Sequence, residues 1–225
     1  MARDQGPDVV LNPQQMNILI PTVSPESVEA LVFDLGGVLL DVQLQRTLRA
    51  FEALDIRGLG AAEVIDGNRA CFRDLELGLI TQEEFAEAVR RTVPADEQLL
   101  EAWNAMLMPF DAQRVELLRE LGKRCPVYLL SNTNLPHRIR FRESFRERFG
   151  GSFDELFVRC FYSDELHLRK PDPEIYRSVA RQIGTPPGKL LFIDDNAANV
   201  SAARGEGWQA CHLTGGITVT DLFEL

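Results

Sequence analysis

The chain has 225 residues, of which 45% are hydrophobic and 26% are charged, a composition typical of a soluble globular protein with a substantial core. This length allows one large domain, or a core domain with a smaller insertion. The formal net charge is −10 at pH 7, so the surface repels phosphate backbones and we expect no nucleic-acid partner. A site for an anionic substrate would need local positive charge from lysine or from a metal ion.

The cysteines and histidines argue against disulfide and zinc sites. The four cysteines are far apart and form no C-x-x-C pair, which predicts free thiols in a reducing cytosol. The three histidines lack the spacing of zinc ligands. No apolar run has the length of a membrane span, and the N-terminus lacks the basic-then-apolar pattern of a signal peptide. We therefore expect a cytoplasmic protein without a membrane partner; the sequence does not indicate its oligomeric state.

The first element of the chain is a short strand. Residues 1–27 contain several prolines and little periodicity, which predicts a loosely packed extension in which only the run 17–20 contacts the body. The apolar run 30–33 predicts a buried strand, and it ends in Asp34, followed within three residues by two glycines. Ligands of open α/β sheets bind beyond the carboxyl ends of the strands. Asp34 would face that crevice, although an aspartate in such a place is often only a turn former.

The segment 43–110 has a helical pattern. Its first helix is indicated by apolar residues on one face, Leu44, Leu48, Phe51 and Leu54. Another helix is predicted to begin after Thr81, which can form a capping box with Glu84. Pro94 is expected to end that helix, and a further one is predicted over 96–107.

We predict that this helical block is a cap domain inserted between the first two strands, since it is long for a crossover connection. The predicted domains are an extension at 1–27, a core domain at 28–42 plus 111–225, and a helical cap domain at 43–110. The alternative is an elaborate crossover packed on the sheet. Opening and closing of the cap would use hinges near Val42 and Pro109.

After residue 110, strands and helices alternate, which predicts an α/β fold with a doubly wound parallel sheet. The further strands are predicted over 127–130, 157–162, 190–193 and 210–213. The helices are predicted from Asp111 to Gly122, over 137–148, from the N-cap Asp172 to Gly184, and from about 197 to Gly205. We expect Gly122 to be a left-handed helix stop.

The segment 137–148 contains five arginines beside Glu143 and Glu147. It could form an anion site. The pattern favours a solvated helix whose charges pair four residues apart, because runs of this kind are common on helix surfaces.

Polar residues end three of the predicted strands, and a parallel sheet would gather them at one edge with a lysine from a nearby loop. They are Asp34, Ser131, Asp194 with Asp195, and Lys170. Three carboxylates in one crevice repel each other unless a cation joins them, and Mg²⁺ suits oxygen ligands. With a lysine charge and neutral donors, this set suits a phosphoryl group. Asp34 could attack its phosphorus and form an aspartyl-phosphate.

Four strings carry a family resemblance: FDLGGVLLD, LLSNTN, RKPDPEIY and FIDDNAANV. In these strings and in their order, the chain resembles the haloacid dehalogenase superfamily of Mg²⁺-dependent enzymes with an aspartate nucleophile. The resemblance covers residues 30–215. It implies a Rossmann-like core with a helical cap between the first two motifs, and hydrolysis of a small-molecule phosphate ester.

The resemblance also implies roles for the matched positions. Asp34 would be the nucleophile. The implied magnesium ligands are Asp34, the backbone carbonyl of Gly36, and Asp195. The implied phosphate-binding groups are Ser131, the Asn132 amide and Lys170, the last of which balances charge. Asp194 would act through water or support the ligands from behind.

One position departs from the family pattern. Most phosphatases of the superfamily have a second aspartate, the general acid and base, two residues after the nucleophile, where this chain has Gly36. A missing acid–base group lowers rates about 10²- to 10⁴-fold. A cap residue, a metal-bound water or Asp41 could substitute, or the leaving group could need little protonation. A sugar C1 hydroxyl is such a leaving group, and the strings resemble the branch that includes bacterial glucose-1-phosphate phosphatases. We therefore expect a sugar phosphate as the substrate.

Two other functions are open at this point. The 2-haloacid dehalogenases also lack the second aspartate, but they use no metal, so the acidic pair Asp194–Asp195 argues against that activity. A non-catalytic binding or regulatory protein could keep the scaffold after losing the second aspartate. Against this, the other predicted site residues are all present.

Overall fold

The strands of the computed structural model form one large sheet and one small sheet. Residues 17–20, 23, 27–54, 70–89 and 96–224 are described. The strands are β1 (Asn17–Ile18), β2 (Ala30–Phe33), β3 (Val127–Ser131), β4 (Arg159–Tyr162), β5 (Leu190–Asp194), β6 (Gln209–His212) and β7 (Phe223–Glu224). Strands β2 to β6 form a parallel sheet in the order β4-β3-β2-β5-β6. Strands β1 and β7 pair antiparallel.

The described residues also form helices between these strands. They are α1 (Leu44–Ala53), α2 (Ala70–Glu76), α3 (Gln82–Val89), α4 (Asp96–Asn104), α5 (Ala112–Gly122), α6 (Leu135–Phe149), α7 (Ser163–Leu166), α8 (Pro173–Ile183) and α9 (Ala197–Gly205). Apolar residues of α5 and α6 belong to one buried cluster, and those of α8 and α9 belong to a second. The predicted α/β class with a doubly wound parallel sheet is therefore confirmed.

The position of β2 at the centre of the sheet explains why its sequence is continuously apolar. Leu31 and Phe33 pack in the first cluster, while Ala30 and Val32 pack in the second. Successive side chains of a strand point to opposite faces, so a strand covered by helices on both faces has no polar side. The strand connections pass to one side of β2 and later to the other, which creates a topological switch point beside β2. Ligands of doubly wound sheets bind at such a point.

The four helices between β2 and β3 have a hydrophobic cluster of their own. Its centre is aromatic: the ring of Phe72 lies 5.1 Å from those of Phe85 and Trp103, measured between centroids, and Phe51 packs beside them. The capping box is present, because the Thr81 amide donates to Glu84 and the Thr81 hydroxyl accepts from the Glu84 amide. The division into a core domain and a cap domain stays a prediction.

The two chain segments that lead into and out of these helices run side by side. Val42 and Leu107 form an antiparallel bridge, and the amide of Met108 donates to the carbonyl of Asp41. The predicted hinges near Val42 and Pro109 thus flank one short backbone pairing. Their motion remains a prediction.

The predicted elements after residue 110 have the expected bounds to within one or two residues. The helix predicted to end at Gly122 does end there, but its C-cap is Lys123 with a right-handed φ of −78°, so the predicted left-handed stop at Gly122 was wrong. Gly184 does have a left-handed φ of 78°. The helix predicted over 96–107 ends at Asn104.

The arginine-rich helix α6 differs from its predicted charge pairing. Arg138 is buried and binds Asp164, while Arg142 binds Asp154. These ion pairs join α6 to other elements rather than residues four apart on its own surface. The expectation of pairing within the helix was therefore wrong for these two arginines, which help to fix α6 on the core.

Other expectations concern the cysteines, the termini and the membrane. No disulfide joins any of the four cysteines, and β1 attaches the run 17–20 to the body as expected. Most of the extension at 1–27, and Pro94, lie outside the described residues. A search of the described helices found none with the length and hydropathy needed to cross a membrane.

Candidate active site

Three strands deliver acidic or hydroxyl side chains to one edge of the parallel sheet. Asp34 follows the last residue of β2, Ser131 ends β3, and Asp194 ends β5. In the register of the sheet Phe33 lies between Leu129 of β3 and Ile193 of β5. The strands therefore end at similar heights and bring these polar side chains together at the switch point beside β2.

Lys170 joins two of these carboxylates. Its side chain is only 1% exposed, and its Nζ lies 2.8 Å from Asp34 Oδ1 and 2.7 Å from Asp194 Oδ2. Burial disfavours the ammonium, but the two carboxylates outweigh burial and keep the pKa of Lys170 above its ordinary value. The lysine is therefore a fixed positive charge at the edge of the sheet.

Asp194 is the most rigidly held of the carboxylates. It is fully buried. Its oxygens accept hydrogen bonds from the Asn196 amide and from the Asn199 side chain, and they also pair with Lys170. With its oxygens occupied by protein donors, Asp194 is suited to position Lys170 and the turn after β5.

Asp34, Asp194 and Asp195 form an acidic cluster in which one oxygen of each lies within 4.8 Å of the others. Burial raises the pKa of Asp34 to about 7, with Asp194 adding to the rise and Lys170 opposing it. Burial and Asp194 also raise the pKa of Asp195. Three ionised carboxylates against one lysine leave two negative charges, which a hard divalent cation with oxygen ligands would neutralise.

The turn after β2 is shaped around Asp195. Gly37 has a left-handed φ of 73°, and a Cβ atom there would lie 2.0 Å from Asp195 Oδ2. Only glycine lets the backbone approach this carboxylate so closely. Gly37 and the Asp195 carboxylate therefore form a close-packed cradle at the edge of the sheet.

The loop after β3 is hydrogen-bonded to the loop that carries Lys170. The Asn132 side chain donates to the carbonyl of Lys170 and accepts from its amide, at 2.8 and 2.9 Å. The Thr133 amide donates to Ser163, whose hydroxyl donates back to the Thr133 carbonyl. Ser131 is buried at the start of this loop. Two of the predicted phosphate-binding residues, Ser131 and Asn132, thus lie on a loop that hydrogen bonds hold in place. The Asn132 side chain is already bonded to the backbone of Lys170.

A cavity of about 350 Å³ opens beside these residues. Its polar end includes Gly36, Ser131, Asn132 and Asp195. The rest of its wall is largely apolar, formed by Leu35, Leu40, Val42, Leu44, Trp103, Met106, Leu107 and Phe141. Both the sheet edge and the helices before β3 therefore contribute to one pocket.

Two charged residues that the sequence did not single out also line this cavity. Glu76, at the end of α2, forms an ion pair of 2.9 Å with Arg169, which directly precedes Lys170. By contrast Asp41, considered as a substitute acid, is largely exposed and pairs with Arg114. Sequence reasoning missed Glu76 because a glutamate on a short amphipathic helix gives no signal of a cavity contact.

The fold and the site define a doubly wound α/β protein with an acidic cluster and a buried lysine at the carboxyl edge of its parallel sheet. The chain belongs to the haloacid dehalogenase-like hydrolase family, whose family model matches residues 28–207. The predicted resemblance is therefore confirmed at the level of the family.

The similar proteins include several phosphatases and also an (S)-2-haloacid dehalogenase of Burkholderia cepacia. The chain is 26% identical to a D-ribitol-5-phosphate phosphatase of Bacteroides thetaiotaomicron, covering 81% of this chain and 90% of that protein. It is 32% identical to a sesquiterpene phosphatase of Aspergillus oryzae, covering 83% and 90%. Among solved structures, it resembles a HAD family enzyme of Bacteroides thetaiotaomicron in complex with magnesium and inorganic phosphate. That likeness has a TM-score of 0.79 and 29% identity and covers 85% of this chain and 97% of the other.

Proposed function

We propose that the chain is a Mg²⁺-dependent phosphoric monoester hydrolase that acts on a small-molecule phosphate ester through an aspartyl-phosphate on Asp34. The observation that carries the proposal is the buried Lys170, which bridges Asp34 and Asp194 within an acidic cluster whose third member, Asp195, lines a cavity. Two relatives named as phosphatases support it, as does a structurally similar HAD family enzyme in complex with magnesium and inorganic phosphate.

The magnesium site consists of Asp34, the Gly36 carbonyl and Asp195. The acidic cluster and the glycine cradle support this assignment. When bound, Mg²⁺ supplies the charge that lets the carboxylates stay ionised and that attracts the phosphate oxygens. Asp194, whose oxygens are occupied by Lys170 and two asparagines, supports the ligands from behind.

The protein side chains divide the work of phosphoryl transfer. Asp34 attacks phosphorus from the sheet edge, which forms the aspartyl-phosphate and releases the alcohol. Ser131 and the Asn132 backbone amide bind the phosphoryl oxygens, and Lys170 balances their charge. Water then attacks the same phosphorus and releases inorganic phosphate, which frees Asp34 for the next cycle.

A sugar phosphate is the first substrate that we propose. The support is the absence of the second aspartate at Gly36, which suits an acidic leaving group, and the relative that acts on a sugar-alcohol phosphate. A preference for anomeric phosphates is expected only if no other residue replaces the missing acid, because the C1 hydroxyl is a leaving group that needs little protonation.

A phosphate ester of an apolar alcohol is the second candidate, because a large part of the cavity wall is apolar. The side chains of Trp103 and Phe141 offer no hydrogen-bond acceptor to sugar hydroxyls, and the Met106 thioether offers only a weak one. A relative named as a sesquiterpene phosphatase supports this candidate. Burial of an apolar chain would contribute about 25 cal/mol per Å² of contacted apolar surface.

The test is phosphate release from glucose 1-phosphate, glucose 6-phosphate, ribitol 5-phosphate and farnesyl phosphate, with and without Mg²⁺, for the native chain and Asp34→Asn. We expect turnover that needs both Mg²⁺ and Asp34. Preference for the anomeric phosphate supports the sugar proposal, and preference for farnesyl phosphate supports the apolar candidate. Halide release from 2-chloropropionate, or saturable phosphate binding without turnover, would overturn the phosphatase proposal in favour of the dehalogenase or the binding protein.

A further inference from the structure

We propose that Glu76 replaces the missing second aspartate as the general acid and base of the reaction. This inference rests on the proposed phosphatase function. It follows from the position of Glu76, at the end of α2, in the lining of the same cavity as Gly36. A side chain from the helices before β3 thus supplies the group that the turn after β2 lacks.

Elimination among the cavity residues favours Glu76. The described residues that line the cavity include four with ionisable side chains, namely Glu76, His137, Arg169 and Asp195. Arginine side chains do not give up a proton in proteins, which excludes Arg169, and Asp195 is assigned to the cation. His137 is held as a neutral ring, because Trp103 accepts from its Nε2 and Asn134 donates to its Nδ1. Glu76 is the remaining group that can both give and take a proton.

Glu76 is held in place by contacts of the turn that follows it. The Leu77 carbonyl accepts a hydrogen bond of 2.8 Å from His167 Nδ1. Gly78 lies against the backbone of Asp164, where a Cβ atom would come within 2.1 Å of the carbonyl oxygen. The end of α2 is therefore anchored to the same core segment that carries Arg169 and Lys170, which fixes the carboxyl group before substrate binds.

The charges around Glu76 suit an acid that must also act as a base. Burial raises its pKa, while Arg169 and then Lys170 oppose the rise, and the net pKa lies above its ordinary value. On its own helix, Arg73 pairs with the adjacent Asp74. A bound phosphate dianion would favour the protonated form further. After the proton is given up, the ion pair with Arg169 stabilises the carboxylate.

The proposed steps balance in protons and charge. As the bond between phosphorus and the leaving oxygen breaks and the Asp34 carboxylate bonds to phosphorus, the Glu76 carboxyl gives its proton to the leaving alkoxide. The products are the neutral alcohol, the Glu76 carboxylate and the aspartyl-phosphate. Glu76 then takes a proton from the attacking water, whose oxygen bonds to phosphorus. Hydrogen phosphate leaves, Asp34 is a carboxylate again, and Glu76 is again protonated.

The test compares two leaving groups in native protein and in Glu76→Gln. The alkyl substrate is ribitol 5-phosphate or farnesyl phosphate, whichever the native protein hydrolyses faster, and the aryl substrate is p-nitrophenyl phosphate. We expect Glu76→Gln to lower kcat/KM for the alkyl ester about 10²- to 10⁴-fold and for the aryl ester less than about threefold. Nitrophenolate departs without protonation, so its release needs no acid.

Controls separate this inference from the proposed function and from a structural role. Glu87→Gln, at an exposed position of α3, is expected to leave both values unchanged. Both substrates are measured on one sample, so the ratio of their kcat/KM values does not depend on the folded fraction. An equal loss for the two esters, or no loss for either, would overturn the role of Glu76. Failure of the native protein to hydrolyse any ester would instead overturn the phosphatase proposal.

Discussion

At the residue scale, the site depends on a few charged side chains that the fold holds close together despite the repulsion between like charges. Asp34 and Asp194 would repel each other, yet both contact the buried Lys170. Removing one member of such a buried set leaves the others uncompensated, at a cost of about 3–5 kcal/mol. The same residues therefore carry the proposed chemistry and a large share of the local stability, which makes conservative, shape-keeping substitutions the informative ones.

Gly37 provides the residue-scale prediction. Its φ of 73° disfavours any other residue, and a Cβ atom there would overlap Asp195 Oδ2. We expect Gly37→Ala to weaken Mg²⁺ binding at least about tenfold, the size of effect seen when groups that orient ligands are changed. Isothermal titration with Mg²⁺ measures this loss.

The matched control for this substitution is Gly184→Ala. Gly184 has a similar φ of 78°, but a Cβ atom there would have no neighbour within 4 Å. Both variants carry the strain of a left-handed alanine, about 1–2 kcal/mol. Only Gly37→Ala should also change Mg²⁺ affinity. Equal Mg²⁺ affinity in the two variants would contradict the proposed cradle.

At the element scale, helix α4 is tied to helix α6 by a buried aromatic and polar junction. The rings of Trp103 and His137 stack with their centroids 4.6 Å apart. The Trp103 indole and the His137 amide both donate to the side chain of Asn134, the N-cap of α6. The Trp103 carbonyl also accepts from the hydroxyl of Thr47 in α1. One residue of α4 thus links the helices before β3 to the core helix nearest the cavity.

This junction predicts a pH dependence of stability. Burial lowers the pKa of His137 from 6.5 to about 4, although its hydrogen bond to the Trp103 carbonyl opposes the shift. Between pH 6.5 and about 4, His137 is therefore protonated in the unfolded chain but neutral in the folded chain. The contribution of His137 is complete above pH 6.5 and is lost as the pH falls toward 4, by up to about 3 kcal/mol.

Urea unfolding at pH 7.5 and pH 4.5 measures this dependence in native protein and in His137→Gln. Carboxylates titrate in both proteins, so only the difference between their pH dependences reports on His137. We expect the native protein to lose about 2–3 kcal/mol more than the variant between these two pH values. The same loss in both proteins would show that His137 is not held neutral.

The strands and their polar ends could be predicted from sequence because the signal is local. A strand buried on both faces is an apolar run, as in β2, and its last residue marks the sheet edge where Asp34 and Asp194 lie. Helix stops are less certain, since Gly122 has no need of a left-handed conformation when the chain continues through Lys123. The two-residue strand β7 has no sequence pattern typical of a strand. It is a strand because it pairs with β1, which lies near the other end of the chain.

The cavity wall could not be predicted for a different reason. Glu76 meets Arg169 only because α2 and the turn after it pack on the core loop near Asp164. That contact joins residues about ninety positions apart in the chain. It depends on how the helices before β3 pack on the rest of the protein. A single sequence specifies the amphipathic face of each helix, whereas their docking depends on the summed packing of Phe72, Trp103 and their neighbours.

At the scale of the whole molecule, the protein has a formal net charge of −10, although its proposed substrate is an anion. The acidic cluster alone would repel a phosphate ester, and Lys170 is already neutralised by its two partners. Mg²⁺ binding is therefore expected both to admit the substrate and to relieve repulsion within the native state. Since the unfolded chain does not hold these carboxylates together, the ion should bind the folded protein selectively and stabilise it.

Thermal unfolding with and without Mg²⁺ tests this linkage independently of any substrate. At a Mg²⁺ concentration about 100-fold above its Kd, the gain is about 2.7 kcal/mol, which corresponds to a rise in Tm of about 5–10 °C for a protein of this size. NaCl at equal ionic strength controls for screening. We expect Asp195→Asn to lose most of the Mg²⁺-dependent rise and Glu120→Gln, at the solvent-facing Lys123 ion pair, to keep it. A native protein whose Tm does not respond to Mg²⁺ would contradict the proposed cation site.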